Sequence, residues 1–240
     1  MTDLRCSIVI PAKNEGEKIL IALSRLEDAI SFPFECLVIV DSEIDPTIPA
    51  VVDFHNEYNQ FTCLVNTGVK GPSGAIKFGI NKAKAPIVVV TMSDGSDDPR
   101  VIPDLIRLIE RGVDIACASR YMPGGQQIGA PLIKSILSRI AGKSLSNFRR
   151  VGTRDATNSF KAYNKVFLEK VGIESKYGFE MGLELVAKAK RYGYRVAELP
   201  TIWIERDFGE SNFKLMKWLP RYLYWYFYAF GPKRKENKNA

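Results

Sequence analysis

Histidine is almost missing from this chain of 240 residues, and the only one is His55. It lies in a polar stretch of helical character with no serine or cysteine signature beside it, and is read as a surface residue without a role. Histidine metal clusters and histidine-activated nucleophiles are thereby excluded. Cysteine is sparse as well. Cys6, Cys36, Cys63 and Cys117 each sit in an apolar strand-like run and no two form a CxxC pair, so they are read as reduced core residues of a cytosolic protein rather than zinc ligands. No apolar run reaches the about 20 residues that span a bilayer. Residues 1–5 are polar and lead straight into a strand-like run, without the basic start and apolar middle of an export signal, so export is not expected. Internal repeats and low-complexity linkers are absent too.

What is present is the balance of an ordinary globular protein, 46% hydrophobic and 25% charged, with a formal charge of +7. That charge suits an anionic partner such as nucleotide phosphates, nucleic acid or a membrane surface. The basic residues are scattered or gathered in the tail at Lys233, Arg234, Lys235 and Lys238, and no recognition motif accompanies them. A nucleic-acid partner is therefore not expected.

Short β-branched runs alternate with helical stretches in the first half. The spacing predicts strands over 7–10, 37–40, 62–65, 87–91 and 115–118, separated by helices carrying Ile19, Leu23 and Leu26, then Ile76 and Ile80, then Ile102, Leu105 and Ile109. The fold class expected is α/β, a Rossmann-like domain with a mostly parallel mixed sheet flanked by helices. Further on, helices are predicted over 132–148 and 180–192, with a strand pair over 196–199 and 201–204. The segment 213–230 is rich in Trp and Tyr beside basic residues, which suits either a membrane interface or packing on the domain or a second subunit. The domain reading is thus a catalytic domain over 1–212, an aromatic amphipathic helix over 213–230 and a disordered basic tail over 231–240.

In open α/β sheets ligands bind beyond the carboxyl ends of the strands, so chemistry is sought in the loops there. These read Pro11-Ala12-Lys13-Asn14-Glu15, then Asp41-Ser42-Glu43-Ile44-Asp45, then Met92-Ser93-Asp94-Gly95-Ser96-Asp97-Asp98, then Ser119-Arg120-Tyr121. Acidic groups and one arginine converge on one edge. Glu15 and Asp41 end the first two strands, where a carboxylate can accept hydrogen bonds from a nucleobase. Gly71 and Gly74 permit close backbone approach ahead of a helix.

The order of these loops, with Gly71-Pro72-Ser73-Gly74 between them, resembles the nucleotide-binding half of family 2 glycosyltransferases with the GT-A fold. Adding Met122-Pro123-Gly124-Gly125, the run from Asp155 to Tyr163 and Arg206-Asp207-Phe208-Gly209-Glu210-Ser211, the chain resembles the dolichyl-phosphate mannosyltransferase and polyprenyl-phosphate sugar transferase branch across nearly all of residues 6–214. The resemblance implies an inverting hexosyltransferase. Its donor would be a nucleotide-sugar, either GDP-mannose or a UDP-sugar, and its acceptor a polyprenyl phosphate at the cytoplasmic face of a membrane that the protein touches peripherally.

Donor binding falls to Pro11, Asn14, Glu15, Asp41, Gly71, Gly74, Asp94 and Arg120 by the same resemblance. Asp94 corresponds to the last Asp of the family's Asp-x-Asp motif, whose carboxylates hold Mg²⁺ or Mn²⁺ against the diphosphate, and Ser96 is a second candidate ligand. Here the sequence departs from the pattern: Met92 stands in place of the first Asp, and a thioether is a poor ligand for hard cations. Asp97 and Asp98 lie within reach in the same loop. Arg120, Arg206, Ser211 and Lys214 are the phosphate and acceptor candidates, with Asn212 where the family's lysine is usual and Lys214 two residues on. Arg149 and Arg150 are candidates for further charge on the acceptor side. A phosphate acceptor is already anionic and needs no general base; were one required, Asp155 is the best carboxylate, with positioning of the sugar as its other role. Two alternatives remain: a transferase with a soluble or polysaccharide acceptor, and a non-catalytic nucleotide-sugar-binding module.

Overall fold

A computed structural model describes residues 4–130, 132–176, 178–205 and 215–234. The chain runs β1 (Cys6–Pro11), α1 (Ile19–Ala29), β2 (Phe34–Val40), α2 (Thr47–Glu57), β3 (Phe61–Val65), α3 (Pro72–Lys82), β4 (Ile87–Val90), α4 (Ile102–Glu110) and β5 (Ile115–Ser119). It continues through β6 (Gln126–Ile128), α5 (Leu132–Ser144), β7 (Lys161–Asn164), α6 (Lys165–Val171), α7 (Met181–Tyr192), β8 (Val196–Pro200), β9 (Ile202–Ile204) and α8 (Leu215–Tyr228).

β1, β2, β4 and β5 are buried along their whole length, which is why they read as continuous apolar runs rather than alternating ones. They belong to a seven-stranded sheet ordered β3-β2-β1-β4-β7-β5-β8. Its pairings are parallel except where β7 enters antiparallel between β4 and β5. Helices α1, α2 and α4 cover one face, with Leu23, Leu26, Val51, Leu105 and Ile109 in the core there. Helices α3, α6, α7 and α8 cover the other, around Ile76, Ile80, Phe167, Leu185 and Trp225.

One feature departs from the sequence reading. The segments expected as a strand pair are not paired with each other: β8 pairs with β5, and β9 pairs with β6 in a separate small sheet. Only Thr201 separates them, too little chain to reverse direction, so the backbone keeps its course and changes sheet. Arg149, a candidate for further charge on the acceptor side, donates from its Nε to the Ala229 carbonyl and from its Nη2 to the Gly231 carbonyl, both at 3.0 Å, while Arg191 donates to Pro232. These contacts satisfy carbonyls that the end of α8 leaves without helical partners. Arg150 is exposed at a left-handed turn with φ 49°. Of the basic tail, Arg234 donates its backbone N–H to Arg191 at 2.7 Å; residues 235–240 lie outside the described residues.

α3 approaches the sheet closely enough that a Cβ on Gly79 would sit 2.4 Å from Val9 Cγ1 and 3.1 Å from Ile39 Cγ1. Gly79→Ala is therefore expected to destabilise the fold by about 1–3 kcal/mol despite the better helix propensity of alanine. A lowered denaturant midpoint at unchanged slope would show it.

Candidate active site

The carboxyl ends of β1, β2, β4 and β5 bring most of the sequence-identified residues to one edge of the sheet. After β1, Asn14 takes a left-handed backbone with φ 57°, an unusual state for a residue with a Cβ. The strain is held by Asp45, whose carboxylate accepts the Asn14 N–H at 3.0 and 3.2 Å and also the Thr47 N–H at the start of α2 at 2.9 Å. Asp45 was legible as part of Asp45-Pro46-Thr47, a sequence suited to opening a helix, yet sequence reasoning gave it no role. Glu15 Oε1 accepts the Ser93 hydroxyl at 3.1 Å, which ties the loop after β1 to the loop after β4.

Asp41, after β2, accepts from Asn66 Nδ2 at 2.9 Å and from the Gly71 N–H at 2.6 Å. It therefore shapes the 66–71 segment as well as facing the edge. Gly71 has φ 105°, open to glycine and costly for other residues. Gly74 has a packing role as well. It is buried inside α3, and a Cβ there would fall 1.8 Å from the Val69 carbonyl oxygen, so its lack of a side chain serves packing of the preceding loop.

The loop after β4 folds around its own acids. Asp94 Oδ1 accepts the Ser96 N–H at 3.0 Å, and Asp97 Oδ2 accepts from Thr91 Oγ1 at 2.9 Å and from the Met92 N–H at 3.3 Å. Burial, reinforced by the charge of Asp94, pushes the Asp97 carboxyl up to about 6 from an ordinary 3.8, against the two hydrogen bonds that pull it down. Ser96 Oγ is buried and has no hydrogen-bond partner among the described residues. A hydroxyl left bare beside Asp94 fits a ligand set of hard oxygens, to which a diphosphate would add its own. Among the described residues no group of three or more His, Cys, Asp or Glu could hold a metal ion.

After β5, Arg120 meets Asp155 in a paired geometry: Nε to Oδ2 at 2.7 Å, Nη2 to Oδ1 at 2.8 Å, and the Arg120 backbone N–H to Oδ2 at 3.0 Å. Asp155 is completely buried. Burial alone would lower the Arg120 pKa, but the charge and hydrogen bonds of Asp155 outweigh it and raise it. Both Asp155 oxygens are committed to this contact, so Asp155 orients a permanent cation and is not available as a general base. Sequence reasoning also passed over Lys161, fully buried on β7, whose Nζ donates to the carbonyls of Ala156 and Asn158 and so pins the loop behind Asp155.

β9 completes the edge. The Ile204 N–H donates to the Ser96 carbonyl at 3.1 Å, delivering the chain to the acidic loop two residues before Arg206. Arg206, Ser211 and Lys214 themselves lie outside the described residues.

Residues 7–172 match the family model "Glycosyl transferase family 2". The chain belongs to that family. It is 31% identical over 216 residues to a dolichol-phosphate mannosyltransferase of Pyrococcus furiosus, covering 88% of this chain, and spans 60% of the length of that relative. It is 26% identical over 232 residues to a polyprenol monophosphomannose synthase of Mycolicibacterium smegmatis, covering 89% of this chain and 86% of that one. A mannosyltransferase from Pyrobaculum calidifontis, solved in complex with GDP-Man and Mn²⁺, superposes with a TM-score of 0.64 at 17% identity, covering 95% of this chain and 64% of that one. The expected fold class, a GT-A domain with a mostly parallel mixed sheet, is the one observed.

The raised Asp97 pKa has a thermodynamic signature in metal-free protein. Because the folded value of about 6 exceeds the ordinary 3.8, the contribution of Asp97 to stability is fully present below pH 3.8 and is lost as pH rises through about 6. Asp97→Asn retains a carbonyl acceptor for Thr91 and Met92 and removes this loss. In chelator, the variant should gain on wild type by as much as about 3 kcal/mol between acid and neutral pH, measured by denaturant unfolding across that range.

Proposed function

We propose that this protein is an inverting glycosyltransferase that moves a hexose from a nucleotide-sugar, GDP-mannose or a UDP-sugar, to a polyprenyl phosphate at the cytoplasmic face of a membrane. The observation that carries the reading is the meeting of an oxygen-rich acidic loop around Asp94 with a buried, doubly held Arg120. The first would take a diphosphate through a cation, and the second would offer phosphate oxygens a guanidinium that Asp155 holds in place. Similarity to enzymes named for polyprenol and dolichol phosphate supports the choice of acceptor.

The donor's base and ribose would occupy the edge made by Pro11, Glu15, Asp41 and Gly71. In an inverting displacement the anionic phosphate oxygen of the acceptor forms a bond to the anomeric carbon from the face opposite the nucleotide. The bond from that carbon to the β-phosphate oxygen breaks, and its electron pair leaves with the nucleoside diphosphate. No proton has to be removed from a phosphate acceptor, which agrees with an Asp155 spent on Arg120. A divalent cation, Mg²⁺ or Mn²⁺, at Asp94 and Ser96 would supply electrostatic stabilisation of the departing diphosphate. Arg120 adds charge that is positioned before the reaction begins, and Arg206, Ser211 and Lys214 are proposed to serve the phosphates on the acceptor side.

Membrane contact rests on the apolar faces of two adjoining helices. On α5, Leu132, Ile136 and Ile140 are 78%, 54% and 60% exposed, and on α8 Tyr224 and Phe227 are 59% and 65% exposed. Ser144 Oγ and the Tyr226 hydroxyl, 2.9 Å apart, join the two helices. Among the described residues no helix is long and apolar enough to cross a membrane, so the contact proposed is peripheral.

The chemical reading predicts that GDP-mannose or a UDP-sugar raises the melting temperature in a Mn²⁺-dependent way. Asp94→Ala should abolish transfer to a polyprenyl phosphate, whereas Met92→Asp should leave it intact or improve it. Full activity in the Asp94 variant would remove the metal assignment. The membrane reading predicts that Ile136→Asp and Ile140→Asp each weaken co-sedimentation with lipid vesicles by about tenfold or more, from the lost burial of one aliphatic side chain, while donor-induced thermal shifts persist.

A further inference from the structure

Cations crowd the place where the ends of α5, α7 and α8 meet. Arg149 and Arg150 follow α5, Lys190 and Arg191 lie in the last turn of α7, and Lys233 and Arg234 follow α8. Hydrogen bonds bring them together. Arg149 donates to the carbonyls of Ala229 and Gly231, Arg191 to that of Pro232 and Lys190 Nζ to that of Arg150 at 3.4 Å, while the Arg234 N–H donates to the Arg191 carbonyl. Carbonyl oxygens carry no net charge, so these contacts fix the cations without neutralising them. Arg5, Arg100, Arg107 and Arg120 each hold a carboxylate, whereas among the described residues none of the cations in this cluster forms a salt bridge. Glu174, the carboxylate whose charge reaches Arg234, is itself bound to Lys188 at 3.0 Å. Burial, and then the like charges of Arg149, Lys233 and Arg150, lower the Lys190 pKa. Gathered charge of one sign repels itself, a cost that an anionic partner would offset.

The apolar surface proposed to meet a membrane runs into this cluster. Along α5, Leu132, Ile136 and Ile140 recur every four residues, and beyond Ser144 the same step reaches Phe148, 76% exposed and next to Arg149. On the adjoining helix and just past it, Leu223, Phe227 and Phe230 are exposed. Phe230 joins the two sides, its ring 5.4 Å from that of Tyr226 and 5.7 Å from the Arg149 guanidinium. Aliphatic and aromatic side chains bordered by cations fit the boundary between acyl chains and headgroups, where the first enter the lipid and the second meet phosphates. A nucleic acid would use the charge but leave the aliphatic stripe in water.

We propose that the cluster of Arg149, Arg150, Lys190, Lys233 and Arg234 docks on the headgroups of anionic phospholipids, so that the protein selects a negatively charged membrane surface and not merely an apolar one. The inference rests on the peripheral membrane contact proposed above and adds the class of lipid it prefers.

The test is co-sedimentation with vesicles free of polyprenyl phosphate, made either of phosphatidylcholine alone or of phosphatidylcholine mixed with phosphatidylglycerol, at low and at high salt. At low salt wild type should bind the anionic vesicles at least about tenfold more tightly than the neutral ones, since each cation near a charged surface contributes several-fold. High salt should remove most of that preference. The double variant Lys190→Gln/Lys233→Gln should reduce the preference by about tenfold, with binding to neutral vesicles staying within about twofold of wild type. Because it relieves repulsion, it should melt no lower than wild type. Lys233→Gln alone, at an exposed position, should reduce the preference several-fold. Equal binding of wild type to the two kinds of vesicle, or a preference that neither variant diminishes, would overturn this inference and leave the apolar membrane contact standing. Failure of wild type to bind either kind would overturn both.

Discussion

The buried contact between Arg120 and Asp155 governs the architecture of the site. Bringing two opposite charges out of water is expensive, and the attraction between them compensates only when geometry and hydrogen bonding are nearly complete. Here they are. Asp155 accepts three hydrogen bonds from Arg120, and its own N–H is held by the Thr153 hydroxyl at 3.0 Å. Thr153 and the Arg154 N–H both donate to Glu198 on β8. The antiparallel strand β7, with the buried ammonium of Lys161, anchors the other end of the same loop. The guanidinium is consequently fixed by three strands rather than by its own flexible stem, a precondition for electrostatic catalysis that needs no reorganisation.

Most of the nucleotide half was legible in the sequence because its strands are apolar on both faces and its loops carry acids in a fixed order. Asp41, Asp94 and Arg120 reach one edge since each follows a parallel strand, and parallel strands present their carboxyl ends together. What the sequence concealed depends on partners distant along the chain. The short β7 carries a lysine and an asparagine among its four residues, which reads as polar loop until Asp155 and Arg120 close over it. The contacts of Arg149 were concealed for a similar reason: a basic residue in a turn gives no sign that it reaches the carbonyl at the end of α8, 80 positions away. Gly74 reads in the sequence as one of two glycines allowing close backbone approach ahead of a helix, and only the observed proximity of Val69 reveals why a side chain is barred there.

α8 shows how two readings of an aromatic segment can hold together. Its Trp225 and Ala229 are buried against the domain while Tyr224 and Phe227 face outward, so a single helix packs on the core and keeps an apolar stripe for something else. Pro220 within it removes one helical hydrogen bond in its first half, and the arginine contacts at the opposite end fasten the helix where its carbonyls would otherwise be bare.

Asp41 carries an evolutionary implication. One carboxylate oxygen steadies Asn66 and the other holds the backbone at Gly71, so a nucleobase bound there, as proposed, would meet a group already shared with the loop beneath it. Replacing Asp41 to favour another base would also release the turn that starts α3. If Asp41 meets the base as proposed, preference between bases would drift more readily through residues around Asp41 than through Asp41 itself, and the loop's shape would act as a brake on change at that position.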